Sequence, residues 1–245
     1  MKIVTGHQPA YLPWLGLFHK ASLADVFVYM DDVQYLVRDW NNRNVVVDRQ
    51  GQAIWLTVPV DLKNSKSLCL KDIVIVNEGV PSRKSWQHKH WMTLKSLYGR
   101  EAFFQIYEPF FTWFYRENTW TTLAQMNLVL LQQFFKWFGI KAEIVVASEQ
   151  VFTGKKSDLV LNHGQKLKAD VVVTGMHGKD YIDQAEFKKN GIEVVFQEYI
   201  HPEEGKYLCG GKTIYAACID VLFKHGPESQ KICLGKNLSR QEIER

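Results

Sequence analysis

The sequence predicts an α/β fold: a mainly parallel, open sheet in one domain spanning residues 1–245, with a mostly helical insertion or cap at about 61–140. Three observations carry this prediction. The chain opens with a short apolar run, a connection, a helix-length stretch and a second apolar run, the order of a βαβ unit. From residue 143 onward, β-branched runs and amphipathic stretches alternate again. The region between replaces that alternation with long helical periods, so it reads as an excursion over the sheet edge.

IVTG (3–6) is the first strand and breaks at Gly6, and 14–24 places Leu15, Phe18 and Leu23 at helical spacing. DVFVYM (25–30) is the second strand, stopped by Asp31 and Asp32. NRNVVV (42–47), AIWLTVPV (53–60) and DIVIV (72–76) read as further strands, with a turn at 48–52. Helices are expected over 82–98, ended by Gly99, and over 119–138, ended by Gly139. Then come strand 143–148, helix 157–168, strand 170–175, helix 183–190, strand 192–197 and helix 213–226. The residues after Gly226 carry few periodic apolar positions and read as a loose tail.

Composition excludes several classes. Hydrophobic content of 46% with 23% charged residues rules out wholesale disorder. A net charge of +4 from scattered Lys and Arg gives no nucleic-acid footprint. No apolar stretch approaches the roughly 20 residues that span a bilayer. MKIVTGHQPAY meets Gly, Pro and His too early for a signal peptide, so a cytoplasmic protein with reduced thiols is expected. Cys69, Cys209, Cys218 and Cys233 lack C-x-x-C spacing, and no metal ligand set is expected. No G-x-S-x-G elbow or H-E-x-x-H occurs. Cys209 beside Gly210 and Gly211 has no assignable catalytic partner.

In an open parallel sheet, ligands bind beyond the carboxyl ends of the strands, where His7 and Gln8 follow the first strand and Asp31 and Asp32 the second. His7 is either a loop histidine with a structural hydrogen bond or a general base. Pro9 and Pro13 stiffen the connection that aims His7, Gln8 and Tyr11. Adjacent strand residues point to opposite faces, so one of Asp31 and Asp32 is expected in the site and the other as a cap. Gln34, Trp40, Asn42 and Arg43 follow; fork donors, amides and a flat ring suit a sugar or nucleotide. On the helix at 82–98, Trp86, Lys89 and His90 are expected on one face, with Arg83 a turn earlier. That face either meets water or lends cations to an anionic substrate. Gly175 and Gly178 bracket His177 in a turn whose backbone N–H groups suit an anion.

The blocks HQPAYLPWLGLFHK, DDVQY, DWNNRN, WLTVPV, WQHKHW, TGMHGKDYI, GIEVVFQEY and IDVLFKHG, in that order, resemble the WbqC-like family across nearly the whole chain. Two departures are Ala10, where the family usually has Asn, and Thr174 before Gly175, where it usually has Ser. The family's marked residues fall on His7, Gln8, Pro9, Tyr11, Trp14, Gly16, Asp31, Asp32, Gln34, Asp39, Trp40, Asn42, Arg43, Trp55, Trp86, Lys89 and His90. The resemblance implies a place among bacterial O-antigen and related lipopolysaccharide or surface-glycan proteins, with a suggested glycine transferase activity on an amino sugar. The opening unit is also similar in outline to the nucleotidyltransferase superfamily, although Trp14-Leu15-Gly16-Leu17 stands where its signature histidines would be.

These readings together give an expected enzyme of the N-acyltransferase or ATP-dependent amide-forming ligase class. It would transfer an aminoacyl (glycyl) or acyl group to the amine of a nucleotide-linked amino sugar. His7 or Asp32 would be the base, and Arg43 and Lys89 would be anchors. The donor stays open: ATP with Mg²⁺ and a free amino acid, or a carrier-bound acyl group. The alternatives are a non-catalytic sugar-nucleotide scaffold and nucleotidyl transfer itself. The oligomeric state is not read from the sequence.

Overall fold

The structure is a computed structural model that describes residues 1–77 and 85–245. Strand β1 (Ile3–His7), helix α1 (Leu15–Ser22) and strand β2 (Val26–Tyr29) form the expected parallel βαβ unit, Thr5 pairing Phe27 and His7 pairing Tyr29. The chain then leaves the sheet. β3 (Arg43–Val47) and β4 (Ala53–Thr57) make a hairpin of their own. Its turn is held by the Asp48 carboxylate, which accepts from the Gln50 and Gln52 amides at 2.8 Å, and by Gly51 at φ +78°. β5 (Val60–Asp61) pairs β6 (Val74–Ile75).

Helix α2 (Trp86–Tyr98) follows, its N-cap Ser85 accepting from the His88 amide. The first residues of the helix expected from 82, Arg83 among them, lie outside the described residues. α3 (Phe104–Thr112) carries Pro109 and runs into a π-helical turn at Trp113–Glu117, and α4 (Leu123–Trp137) completes the excursion. The excursion thus spans residues 30–142 and includes strands as well as helices.

The sheet resumes with β7 (Glu143–Val146), α5 (Ser157–Lys166), β8 (Val171–Gly175), α6 (Gln184–Lys189) and β9 (Glu193–Gln197). Its order is β7-β2-β1-β8-β9, all parallel. Numbered among themselves the strands run 3-2-1-4-5, so the winding reverses between β1 and β8. That reversal is the topological switch point of a doubly wound sheet.

Alternation sorts side chains between two faces. Val4, Val26, Val28 and Val172 pack with Leu161 of α5 and Phe187 of α6. Phe27 and Tyr29 face Phe18 of α1 and the aromatic end of α4, where Phe18 stacks on Phe138 at 4.7 Å and meets Phe134 edge-on at 5.5 Å. The same core continues into the excursion through Trp91, Phe104, Phe111 and Tyr115.

Two expectations are corrected after β9. The helix expected over 213–226 begins as a strand: β10 (Lys206–Cys209) and β11 (Lys212–Tyr215) form a hairpin, and α7 is confined to Ile219–His225. Gly210 and Gly211, at φ +54° and +77°, supply the left-handed pair that a two-residue hairpin loop needs. The tail is not loose. α8 (Ser229–Leu234) packs against α1, and α9 (Arg240–Ile243), opened by a Ser239–Glu242 capping box, returns Arg240 to Asp25 at 2.7 Å. Among the described residues no helix is long and apolar enough to cross a membrane.

The hairpin is tied to α7 by Asp220, fully buried, which accepts from Tyr98 at 3.0 Å and Tyr207 at 2.6 Å and pairs with Lys224 at 3.0 Å. Asp220→Ala strands these donors and is expected to cost about 3–5 kcal/mol. Urea denaturation measures it, and a loss below about 1 kcal/mol would show that the cluster relaxes into water.

Candidate functional site

His7 ends β1 at the switch point. Its Nδ1 lies 2.7 Å from the Gln8 carbonyl, which can only accept, so Nδ1 carries the proton and Nε2 presents a lone pair. The ring edge meets Trp14 at 5.1 Å. Burial, then the Lys20 ammonium, push the imidazole down to about 3, with the Gln8 carbonyl opposing, so His7 is neutral.

Lys20 lies within the apolar stripe of α1 and is 6% exposed. Helical side chains lean toward the N-terminus, and here Nζ reaches the Gly6 carbonyl at 2.9 Å. No carboxylate pairs with it among the described residues, and burial lowers its pKa to about 8. The sequence reading missed it, although its apolar neighbours Leu17, Ala21 and Ala24 at i−3, i+1 and i+4 mark the stripe.

The connection after His7 is held by asparagines. Asn41 Nδ2 donates to the Pro9 carbonyl at 2.7 Å and approaches Gln8 Oε1 at 3.4 Å; Asn127 Nδ2 donates to the Asn41 carbonyl at 2.8 Å. The Oδ1 atoms of Asn41 and Asn127 are buried without a partner among the described residues. Neither asparagine was singled out from sequence. Asn42 is buried in the same way: its Nδ2 donates to the Val58 carbonyl at 2.8 Å, and its Oδ1 likewise has no partner among the described residues.

Tyr11 is fully buried: it donates to His90 Nδ1 at 2.8 Å and accepts from the Tyr115 hydroxyl, while the Thr57 carbonyl occupies the other side of the His90 ring. Trp86 is buried beside the same ring at 5.2 Å, and Lys89 is exposed. The three residues expected on one helix face are therefore separated. His90 is pushed to about 4 by burial, as is His163 on α5. Each folds neutral and charges in the unfolded chain below about pH 6.5. Stability held above that value is expected to fall by about 3 kcal/mol per pH unit for the pair as pH drops toward 4, read by urea denaturation across that range.

The aspartates divide. Asp31 Oδ1 accepts from the Ser148 amide at 2.9 Å and Oδ2 from its hydroxyl at 2.6 Å, which pins the turn after β7 to the end of β2. Asp32 keeps a buried, unpartnered Oδ1 among the described residues, and burial and then Asp31 raise its pKa. Its charged neighbours are Asp31 and Lys71, and no hydrogen bond joins it to His7 among the described residues.

Farther out, Trp40 and Trp55 stack at 5.7 Å, both about half exposed, with the Arg43 guanidinium 4.5 Å above Trp55. The Trp40 carbonyl accepts from the Tyr11 amide at 3.1 Å, tying this platform to the connection. Gln34 is exposed and bridges Cys69 through its backbone.

The β1–β8 pairing ends at Thr5 and Val173, and Gly175 closes β8 two residues further on; a Cβ there would meet nothing within 4 Å. Gly178 is closed instead: a Cβ would lie 2.6 Å from Thr174 Cγ2. Among the described residues no three His, Cys, Asp or Glu side chains are placed to hold a metal. Cys209 Sγ lies 4.0 Å from Gln52 Oε1 with no base beside it.

With this geometry in hand, the comparisons place the chain. The model of the WbqC-like protein family matches residues 8–232. The chain belongs to the WbqC-like family. It is similar to a protein of Mycobacterium tuberculosis (strain ATCC 25618 / H37Rv) described as uncharacterized protein Rv1507c, 30% identical over 229 residues covering 94% of this chain and 96% of that one. No solved structure matches.

In this WbqC-like chain the family match begins one residue after His7 and takes in Lys20, Asn41, Asn127 and the turn after β8. Among the described residues this edge carries a neutral imidazole, a buried ammonium with no carboxylate partner and an open glycine after β8. Such a set can deprotonate a nucleophile while holding an anionic group.

Proposed function

We propose that this protein transfers an aminoacyl group, glycyl by the family resemblance, or another acyl group to the amine of a nucleotide-linked amino sugar in bacterial surface-glycan biosynthesis. The observation that carries this reading is the neutral His7, its Nε2 without a hydrogen-bond partner among the described residues, near a Lys20 ammonium that no described carboxylate pairs with, at the switch point. The amine nitrogen attacks the acyl carbonyl carbon; the C–N bond forms and the bond to the leaving group breaks, its electron pair departing with that group. The surplus proton on nitrogen goes to His7 Nε2. Lys20 faces the substrate's anionic group, and the Asn41 and Asn127 oxygens accept from sugar hydroxyls. An acyl adenylate made with ATP and Mg²⁺, or a carrier-bound acyl group, serves equally as donor.

The test is turnover. Protein incubated with a nucleotide-linked amino sugar, glycine, ATP and Mg²⁺ is expected to yield a product heavier by one glycyl unit in mass spectrometry. Tight binding with no mass change under any donor would make it a scaffold, and pyrophosphate release without an amide would make it a nucleotidyltransferase. Gly175→Val adds a check that separates site from fold. The backbone there is extended at φ −73° and the space ahead is open, so the melting curve should move by less than about 0.5 kcal/mol. Turnover should drop at least about tenfold, because the added methyls fill open space at the end of β8, on the edge where the substrate is proposed to sit.

A further inference from the structure

On the opposite face of the same strand ends lies a small hollow of about 40 Å³, lined among others by Gly6 of β1, Met30 after β2, Val160 and His163 of α5, Thr174 of β8 and Tyr181. It is separate from the His7 side: Val4, Val28 and Val172 place this face against α5, whereas Phe27 and Tyr29 face α1. His163 is 3% exposed, its ring held edge-on by Phe152 at 4.4 Å, and its Nε2 is buried with no partner among the described residues. A buried polar atom of this kind is costly unless something occupies the hollow and bonds to it.

We propose that this hollow receives the polar edge of a nucleobase, with His163 Nε2 bonding a ring or exocyclic atom. The inference rests on the reading above that the substrate carries a nucleotide. The walls argue for a base over the other parts of a nucleotide. No cation lines them, so a phosphate is not served. Val160 and Met30 are apolar and match a flat ring, and a thioether packs well on aromatic edges. Thr174 and Tyr181 add hydroxyls, and Tyr181, 41% exposed, stands at the mouth. The space exceeds what one water needs and takes a ring edge, with the ring itself between Met30 from the β2 side and Tyr181 from the β8 side. A base seated here sends its phosphates past the end of β1 toward Lys20, whose Nζ reaches the Gly6 carbonyl.

Binding of AMP, CMP, GMP, UMP and dTMP to the full chain, with ribose 5-phosphate as the probe lacking a base, tests this. One nucleotide is expected to bind at least about tenfold tighter than ribose 5-phosphate, and to shift the His163 ring nitrogen resonance where ribose 5-phosphate does not. Val160→Phe, which fills the hollow, should abolish that preference and leave ribose 5-phosphate binding unchanged; His163→Gln should weaken it. Preference for AMP would identify the base as that of ATP, and preference for another base as that of the sugar nucleotide. Nucleotide binding with no gain over ribose 5-phosphate, or an unmoved His163 resonance, overturns the inference while acyl transfer to a nucleotide sugar can still be observed. Absence of both nucleotide binding and transfer overturns this inference and the proposed function together.

Discussion

Lys20→Met is expected to stabilise the ligand-free protein and to cut turnover by at least about a hundredfold. The buried ammonium has a carbonyl partner but no counter-charge among the described residues. Its pKa falls from 10.5 to about 8, which corresponds to roughly 3 kcal/mol against folding in the charged form. The sign follows from proton counts. Between about pH 8 and pH 10.5 the unfolded chain binds the Lys20 proton and the folded chain does not, so stability rises with pH across that window. Below about 8 both states are charged and the penalty is complete. Methionine matches the stem length and removes the charge, so the variant should be more stable near pH 7 and should lack Lys20's share of the rise above pH 8. Removing a buried charged partner of a substrate anion costs about 2–5 kcal/mol of binding, hence the loss of turnover. Urea denaturation near pH 7 and pH 10, with the transfer assay, checks both halves; a destabilised variant with full activity would make Lys20 a strand cap and nothing more.

His7→Ala is expected to lower turnover about 10²- to 10⁴-fold while the fold persists. The side chain is half-buried and touches the edge of Trp14, so the stability loss should stay near about 1 kcal/mol. The imidazole is a poor base in the free protein because burial and Lys20 hold it near 3. An anion facing Lys20 cancels the second of these causes, so the His7 pKa should climb when the nucleotide sugar binds. Titration of the His7 ring protons by NMR with and without substrate measures the climb. An unchanged pKa on binding would separate Lys20 from the substrate anion, and an active His7→Ala variant would move the base elsewhere.

The parallel sheet was legible because β-branched runs and helical periods alternate plainly at both ends of the chain. The middle was less so. The 43–57 hairpin has strand residues like any other, and nothing local says that it pairs with itself rather than with β2. KTIY at 212–215 was absorbed into a helix because IYAACIDVLF continues with helical spacing; the left-handed pair Gly210-Gly211 was the overlooked signal. In the site, Asp31 and Asp32 were read as strand residues on opposite faces, whereas both lie in the turn beyond Tyr29, and nothing local says that Ser148, more than a hundred residues later, takes Asp31. Pattern alone also could not distinguish Lys89, which meets water, from Trp86 and His90, which pack inward. Lys20 and Asn127 were invisible for the opposite reason: each is an ordinary helical residue until the sheet and the excursion close around it.

The excursion between β2 and β7 has a kinetic consequence. Those two strands are neighbours in the sheet, yet residues 30–142 separate them in the chain. Their alignment demands a loop closure whose entropy is recovered only once the aromatic interior between them has collapsed. Refolding should therefore be slow for an α/β chain of this length, and a half-folded intermediate would leave the β7 side of β2 open to pairing with other chains.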